Sequence, residues 1–144
     1  MQFDIQNEEQ KNPRFFLVNH GRYYAKEILF GGAFVPKDQV AEAELMCKIR
    51  TGDVIFHASR RGIAAVGWAS RPCRVLPYPA WRYADGLVGD RGYWLDTKDL
   101  LLKEPIETGL PSDQYLILLS DTQAKEILSQ IFDQIPRLKE FFLC

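Results

Sequence analysis

The chain is poor in the residues that enzymes and secreted scaffolds most often build on. It has two histidines, two methionines and three cysteines. Cys47, Cys73 and Cys144 are odd in number and widely spaced, with no CxxC or Cys/His cluster, so a structural zinc site is not expected. A disulfide framework is not expected either, which points to a reducing, cytoplasmic setting. The opening MQFDIQNEEQKNP lacks the apolar stretch of a secretory signal. No apolar run approaches the ~20 residues of a membrane span, so no membrane partner is expected. Net charge is scarce too, at −1, which argues against a dedicated nucleic-acid coat protein. Internal repeats and low-complexity stretches are missing.

What is present is an ordinary globular composition. The 144 residues are 47% hydrophobic and 26% charged, enough for one domain with a real core and too apolar for disorder. Residues 1–13 read as a polar lead-in and 14–144 as the single domain. The charge is unevenly spread. Positions 48–91 carry eight Lys/Arg against three Asp/Glu, whereas 1–47 carry five against seven and 92–144 five against nine. A basic island inside an acidic chain can steer an anionic partner to one face, although solvated loop charges look the same.

Hydrophobic patterning suggests a run of short strands. Arg14 to Asn19, Ala33 to Pro36, Val54 to Ser59, Ile63 to Ala69, Tyr93 to Leu102 and Tyr115 to Leu119 each carry apolar or alternating residues. The third and fourth are spaced as a hairpin around Arg60-Arg61-Gly62. Helical spacing marks Lys37 to Arg50, with Asp38 as its cap, and a stretch from Ser120 or Asp121 to about Ile135 that Pro136 ends. Tyr23 to Phe30 is ambiguous. Positions 70–91 read as a long irregular loop, and a loop of that length in a compact domain usually has a task. Many short strands with two or three helices imply an α+β fold, a curved mixed sheet or small barrel flanked by helices.

Catalytic constellations are missing from the linear sequence. Neither His20 nor His57 has a Ser or Cys nucleophile motif around it, and His57 reads best as a strand-end histidine bonded to backbone. Asp96 and Asp99 are three apart in a strand and fall on opposite faces. Gly31-Gly32 lacks the neighbours of a phosphate loop. No catalytic residue, metal site or cofactor is expected.

Three segments in order resemble a known family. They are Phe15-Phe16-Leu17-Val18-Asn19-His20-Gly21, Gly31-Gly32-Ala33-Phe34-Val35-Pro36-Lys37, and Met46 to Ser59 (MCKIRTGDVIFHAS). Together they resemble the EVE domains of the PUA-like superfamily, relatives of the YTH readers, found in reader modules of modification-dependent restriction endonucleases. The resemblance covers roughly residues 14–119. It implies a PUA-like curved sheet or barrel that binds a flipped, modified base, with 5-methylcytosine or 5-hydroxymethylcytosine in double-stranded DNA the expected target and a fused or associated nuclease a possible partner. The closing Phe141-Phe142-Leu143-Cys144 reads as a cut inside a longer sequence.

The resemblance places Phe34 where relatives carry a cage Trp, and Ala43 where they carry another, two departures from the family pattern. It puts Asn19, Ser59 and His57 at the pocket edge. Trp81 is the candidate for a further cage aromatic, with Tyr78 and Tyr83 as substitutes, and Trp68 as a weaker one. Stacking a base on an aromatic is worth on the order of 1–3 kcal/mol but selects poorly, so polar edge groups must choose the base. Arg60, Arg61, Arg71, Arg74 and Arg82 are candidate phosphate contacts. Each has a plain alternative: Phe34, Trp68 and Trp94 as core, Asn19 and Ser59 as turn residues, the arginines as surface. Three rival readings stand beside the reader: an RNA-binding module, a protein-interaction domain, and a small-molecule or hydrolase domain in which His20 or His57 would converge with an acid such as Asp53.

Overall fold

A computed structural model describes residues 12–77 and 91–143, with side chains through 140. The strands are β1 (Phe15–Asn19), β2 (Gly32–Pro36), β3 (Val54–Ser59), β4 (Gly62–Ala69), β5 (Arg74–Pro77), β6 (Arg91–Ile106) and β7 (Leu116–Leu118). The helices are α1 (Tyr24–Leu29), α2 (Val40–Cys47), α3 (Asp121–Gln134) and α4 (Leu138–Leu143), and a short 3-10 helix, Gly21–Tyr23, precedes α1. All seven strands share one sheet, in the order β2-β6-β4-β3-β1-β7, with β5 beside β6. Only β1 and β3 pair in parallel, Val18 opposite His57; the other pairings are antiparallel.

The sheet curls because β6 serves two neighbourhoods. Its first residues, from Gly92 to Asp96, pair with β2, while Thr97 to Ile106 pair with β4. β4 and β5 run one after the other along β6, joined by residues 70–73, and Ser70 N–H donates to Asp96 O at the change of partner. The irregular reading of 70–91 is therefore corrected at both ends. Arg74–Pro77 is a strand, and β6 begins at Arg91 and continues past Pro105. The proline is tolerated because the ladder is already interrupted there: pairing jumps from Ala65 opposite Leu101 to Ile63 opposite Ile106. The amides of Lys103 and Glu104 turn to Gln134 Oε1 of α3, and Gln134 Nε2 donates to Glu104 O.

Both faces of the central strands are covered. Leu17, Val54, Phe56 and Val66 pack under α3 through Ala124, Ile127, Leu128 and Ile131. Phe16, Val18, Ile55 and Leu95 face inward against Ala43 and Met46 of α2. Burying a Phe or Ile side chain contributes roughly 1.5–3 kcal/mol, which explains why β1 and β3 read as continuous apolar runs. The α3 N-terminus is a capping box, Ser120 Oγ accepting from Gln123 N–H and Gln123 Oε1 from Ser120 N–H. Gln39, not Asp38, is the N-cap of α2, and it makes no side-chain cap bond.

Helix α2 touches β2, β6 and β7 and so bridges the open side of the curled sheet. Its Glu42 carboxylate accepts the Tyr115 and Leu116 amides, satisfying the start of edge strand β7. Gly32 is required on the opposite edge, where a Cβ would lie 2.1 Å from Leu95 O and 2.6 Å from the Trp94 ring.

Replacing Gln134 by Ala strands two strand amides and a carbonyl at the β6 bulge. These groups are exposed and can turn to water, so the expected loss is about 0.5–1.5 kcal/mol in urea unfolding, against no more than about 0.5 kcal/mol for the exposed Gln130→Ala one turn earlier.

Candidate functional site

The inner side of the curl contains a chain of buried ionisable groups. Strand β1 ends at Asn19, and His20 follows it; the 3-10 helix and α1 then turn back so that Glu27 meets His20. Parallel pairing sets the end of β3 alongside, bringing His57 to the same level. Asp99 comes from β6, beyond β4, and lies opposite Gly67. A Cβ at Gly67 would sit 2.3 Å from Asp99 Oδ1, so that glycine is the gap through which the carboxylate reaches β3. Three contacts result: Glu27 Oε1 to His20 Nδ1 at 2.6 Å, His20 Nε2 to His57 Nδ1 at 2.7 Å, and His57 Nε2 to Asp99 Oδ1 at 2.6 Å. Tyr115 Oη donates to Glu27 Oε1 and accepts from Phe34 N–H. Thr97 Oγ1 donates to Asp99 Oδ2 at 2.8 Å.

Proton counting fixes the charge of this chain. Each of the three contacts needs one proton between its heavy atoms, because two lone pairs at such distances repel. Two neutral imidazoles supply two. A third proton is therefore shared among the four groups, leaving one net negative charge from two carboxyls. Burial, foremost, and His57 push the His20 pKa below 6.5, against the hydrogen bond to Glu27. Burial opposes ionisation of Asp99, yet the hydrogen bonds from His57 and Thr97 hold it below the ordinary carboxylate range. Burial and the Asp99 charge raise the Tyr24 hydroxyl.

His57 thus departs from its expected role. Its partners are side chains on two other elements, not backbone, and it is fully buried. Asp53 is not the acid that meets the histidines. It accepts from the amides of Arg14 and Arg50 and pairs with the Arg14 guanidinium at 3.2 Å. Sequence reasoning missed Glu27, Asp99, Thr97 and Tyr115. The available signal was the alternation Leu95, Thr97, Asp99 along β6, which puts two polar groups on a face that begins apolar.

The remaining candidates fall into separate places. Asn19, Ser59, Arg60 and Arg61 line one cleft of about 310 Å³, shared with Glu107 and Ser112, where β1 and β3 end. Asn19 Nδ2 donates to the carbonyls of Pro111 at 3.1 Å and Gln114 at 2.8 Å. Ser59 Oγ accepts from Arg61 N–H and donates to Gly62 O. Both side chains are thus engaged by turns. Arg71 and Arg74 converge instead on Asp96, at 3.5 and 3.2 Å; partial burial of that carboxyl is outweighed by Arg74, Trp94 and Arg71, and its pKa is lowered. Asp96 and Asp99 do lie on opposite faces. Trp68 borders an apolar cleft of about 260 Å³ with Val66, Leu100 and Leu138.

Phe34 has no exposed face. It is fully buried and packs with Trp94 and Leu76, so it offers no open stacking surface. Tyr78, Trp81, Arg82 and Tyr83 lie outside the described residues. The residues that flank them, Pro77 and Arg91, pair with each other at the start of β6, whereas the Arg60–Arg61 turn lies beyond Ile63, which pairs with Ile106 at its end. A single pocket uniting Phe34 and Asn19 is not formed. Among the described residues no cluster of three or more His, Cys, Asp or Glu is suited to a metal ion, and no helix is long and apolar enough to cross a membrane.

The chain of four should make the protein acid-labile. Because His20 has a lowered pKa, its contribution is present above pH 6.5 and is lost as pH falls from there toward the folded-state value. The depressed Asp99 adds a second loss below pH 3.8. Thermal midpoints measured from pH 8 to 3 should fall in these two stages on the acid side, and should also decline above about pH 7, where the folded chain still holds the shared third proton that the unfolded chain has released. Asp99→Asn at pH 7.5 should cost about 3–5 kcal/mol by leaving the imidazole pair without its buried anion; a loss under about 1 kcal/mol would contradict the shared-proton arrangement.

No family model matches the chain, and no curated protein matches it. Solved structures do. ZmASCH from Zymomonas mobilis, in a serine-to-alanine mutant form, is 11% identical over 81% of this chain and 95% of that one, with a TM-score of 0.56. Rpa0253 from Rhodopseudomonas palustris is 18% identical over 82% of this chain and 92% of that one, with a TM-score of 0.50. At such identities the likeness concerns the fold, and the fold is PUA-like: a curled mixed sheet, open on one side, with helices packed on it.

Proposed function

We propose that this chain is a non-catalytic, EVE-type reader that binds nucleic acid and recognises a modified base, with flipped 5-methylcytosine or 5-hydroxymethylcytosine in duplex DNA the favoured target. The observation that carries the nucleic-acid part is the polar cleft where β1 and β3 end, which gathers Asn19, Ser59, Arg60 and Arg61. Carboxyl ends of parallel strands are a common place for ligands. Two adjacent arginines on a tight hairpin suit phosphate oxygens. Arg71 and Arg74 are partly neutralised by Asp96 and contribute less.

In this reading, backbone grip and base reading are separate. Arg60 and Arg61 hold phosphate at one end of β6, and Asn19 and Ser59, already engaged by turns, shape the cleft. Base stacking falls to Trp81, with Tyr78 and Tyr83, as the family resemblance implies. The sixteen residues of β6 extend up to about 50 Å at ~3.3 Å each, less where the strand bends, so a duplex of ordinary length can meet both ends. The cytosine target and service to a nuclease rest on that resemblance, and cytoplasmic placement on the three widely spaced cysteines. The Glu27–His20–His57–Asp99 chain favours binding over catalysis, because its members are spent on one another.

Fluorescence anisotropy with matched duplexes carrying cytosine, 5-methylcytosine, 5-hydroxymethylcytosine or N6-methyladenine, beside single-stranded RNA, tests the proposal. Arg60→Ala/Arg61→Ala should weaken all duplexes alike, about tenfold or more at moderate salt, and flatten the log–log salt slope by about 1–2. Trp81→Ala should abolish preference for the modified duplex while keeping the salt slope. Tighter binding to RNA would move the reading to an RNA module. Absence of binding to every probe would refute nucleic-acid recognition and turn attention to a small-molecule or catalytic use of the buried histidines.

A further inference from the structure

We propose that Cys47 and Cys73 form a thiol–disulfide exchange site, which reacts with a small anionic disulfide of the glutathione class and closes into a reversible Cys47–Cys73 bond. The two thiols are separated by 26 positions in the chain but their sulfurs lie 3.8 Å apart. Cys47 is the last residue of α2 and is exposed; Cys73 is partly buried in the connection from β4 to β5. Core packing holds both: Ala43 and Met46 anchor α2, and Cys73 packs against the same cluster. Bonding requires the sulfurs to approach to about 2.05 Å, a movement of under about 2 Å from their 3.8 Å separation.

The geometry also assigns roles. Cys73 donates its S–H to the Cys47 sulfur, so Cys47 is the acceptor and the accessible nucleophile. Burial first, then the contact with Cys47, push the Cys73 thiol up to about 12, which suits a thiol that reacts second. Lys48 follows Cys47 and Arg74 follows Cys73, with Glu44 the nearest acid along α2. Arg74 is partly offset by Asp96, and Lys48 remains to attract an anionic disulfide.

The reaction balances as ordinary exchange. The Cys47 thiolate, its proton released to solvent, attacks one sulfur of RS–SR and expels RS⁻, leaving Cys47–S–S–R. Cys73 then loses its proton, attacks the Cys47 sulfur and expels the second RS⁻. Two protein thiols are oxidised by two electrons, and one low-molecular-weight disulfide is reduced to two thiols. The high Cys73 pKa makes the second step slow near neutrality and faster with rising pH. The closed bond would fasten the end of the helix that bridges the open side of the sheet to the β4–β5 connection.

The test uses the full chain carrying Cys144→Ser, incubated with glutathione/glutathione-disulfide mixtures, quenched by acid and mapped by mass spectrometry. A dithiothreitol-reversible Cys47–Cys73 cross-link is expected. At one mixture ratio it should form about tenfold or more favourably in buffer than in strong urea, since the fold supplies the proximity. The mixed disulfide should appear on Cys47 first and resolve faster at pH 9 than at pH 7. The cross-linked protein should melt roughly 5–10 °C above its reduced form, and Cys73→Ser should stop at the mixed disulfide. Three results would each overturn the proposal: no reaction in buffer, a mixed disulfide that never resolves in the Cys73-containing protein, or cross-linking equally favourable in urea.

Discussion

Four ionisable side chains linked end to end inside the sheet constrain this molecule more than any apolar contact. Glu27, His20 and His57 are fully buried and Asp99 nearly so. Each would be costly there alone, by several kcal/mol. They are tolerable only as a set, with one proton in every contact. That requirement ties together α1, the ends of β1 and β3, and β6 on the far side of β4. Hydrophobic burial tolerates small slides and repacking. A chain of 2.6–2.7 Å contacts does not, so it fixes the register of β1 on β3 and the placement of α1 more tightly than Phe16 or Ile55 could.

The same constraint explains which parts of the fold were readable from the sequence. Strands β1, β3 and β4 and helix α3 followed from apolar runs, alternation and a capping sequence, because their burial is apolar and periodic. Helix α1 did not, because its pattern is inverted: Glu27 is its buried residue, while Leu29 is 75% exposed and the following Phe30 60%. A hydrophobicity rule places that segment the wrong way round or leaves it undecided. Strand β5 was hidden for another reason. Its residues are mostly exposed, so it has no apolar face to signal, and it is a strand because β6 offers it an edge.

The candidate site was legible by residue type more than by arrangement. His20 and His57 stood out as the only histidines, yet nothing local to either indicated that a parallel pairing would bring their rings together. Their acids come from positions 27 and 99, and Asp99 is admitted by the missing side chain of Gly67. Such a gap is a three-strand property, invisible to any window along the chain. The cysteines make the same point. Wide spacing argued against pairing, but the return of the chain along β4 carries Cys73 to the end of α2. Spacing constrains chemistry only where the chain between is short.

Strand β6 then decides how a binding function can be laid out. Because it changes partners near Asp96, its two ends carry different equipment: the β3–β4 hairpin with Arg60 and Arg61 at one, and the attachments of residues 78–90 at the other. A binding surface built on these cannot be a single compact cage that includes Phe34, whose ring is committed to Trp94 and the core. Under the proposed reading it is extended. An extended surface suits a polymer better than a small molecule, because a polymer can satisfy two distant contacts at once and gain from the second contact's raised effective concentration. The buried chain of carboxyls and imidazoles lies between these ends as the rigid element that keeps them in fixed relation.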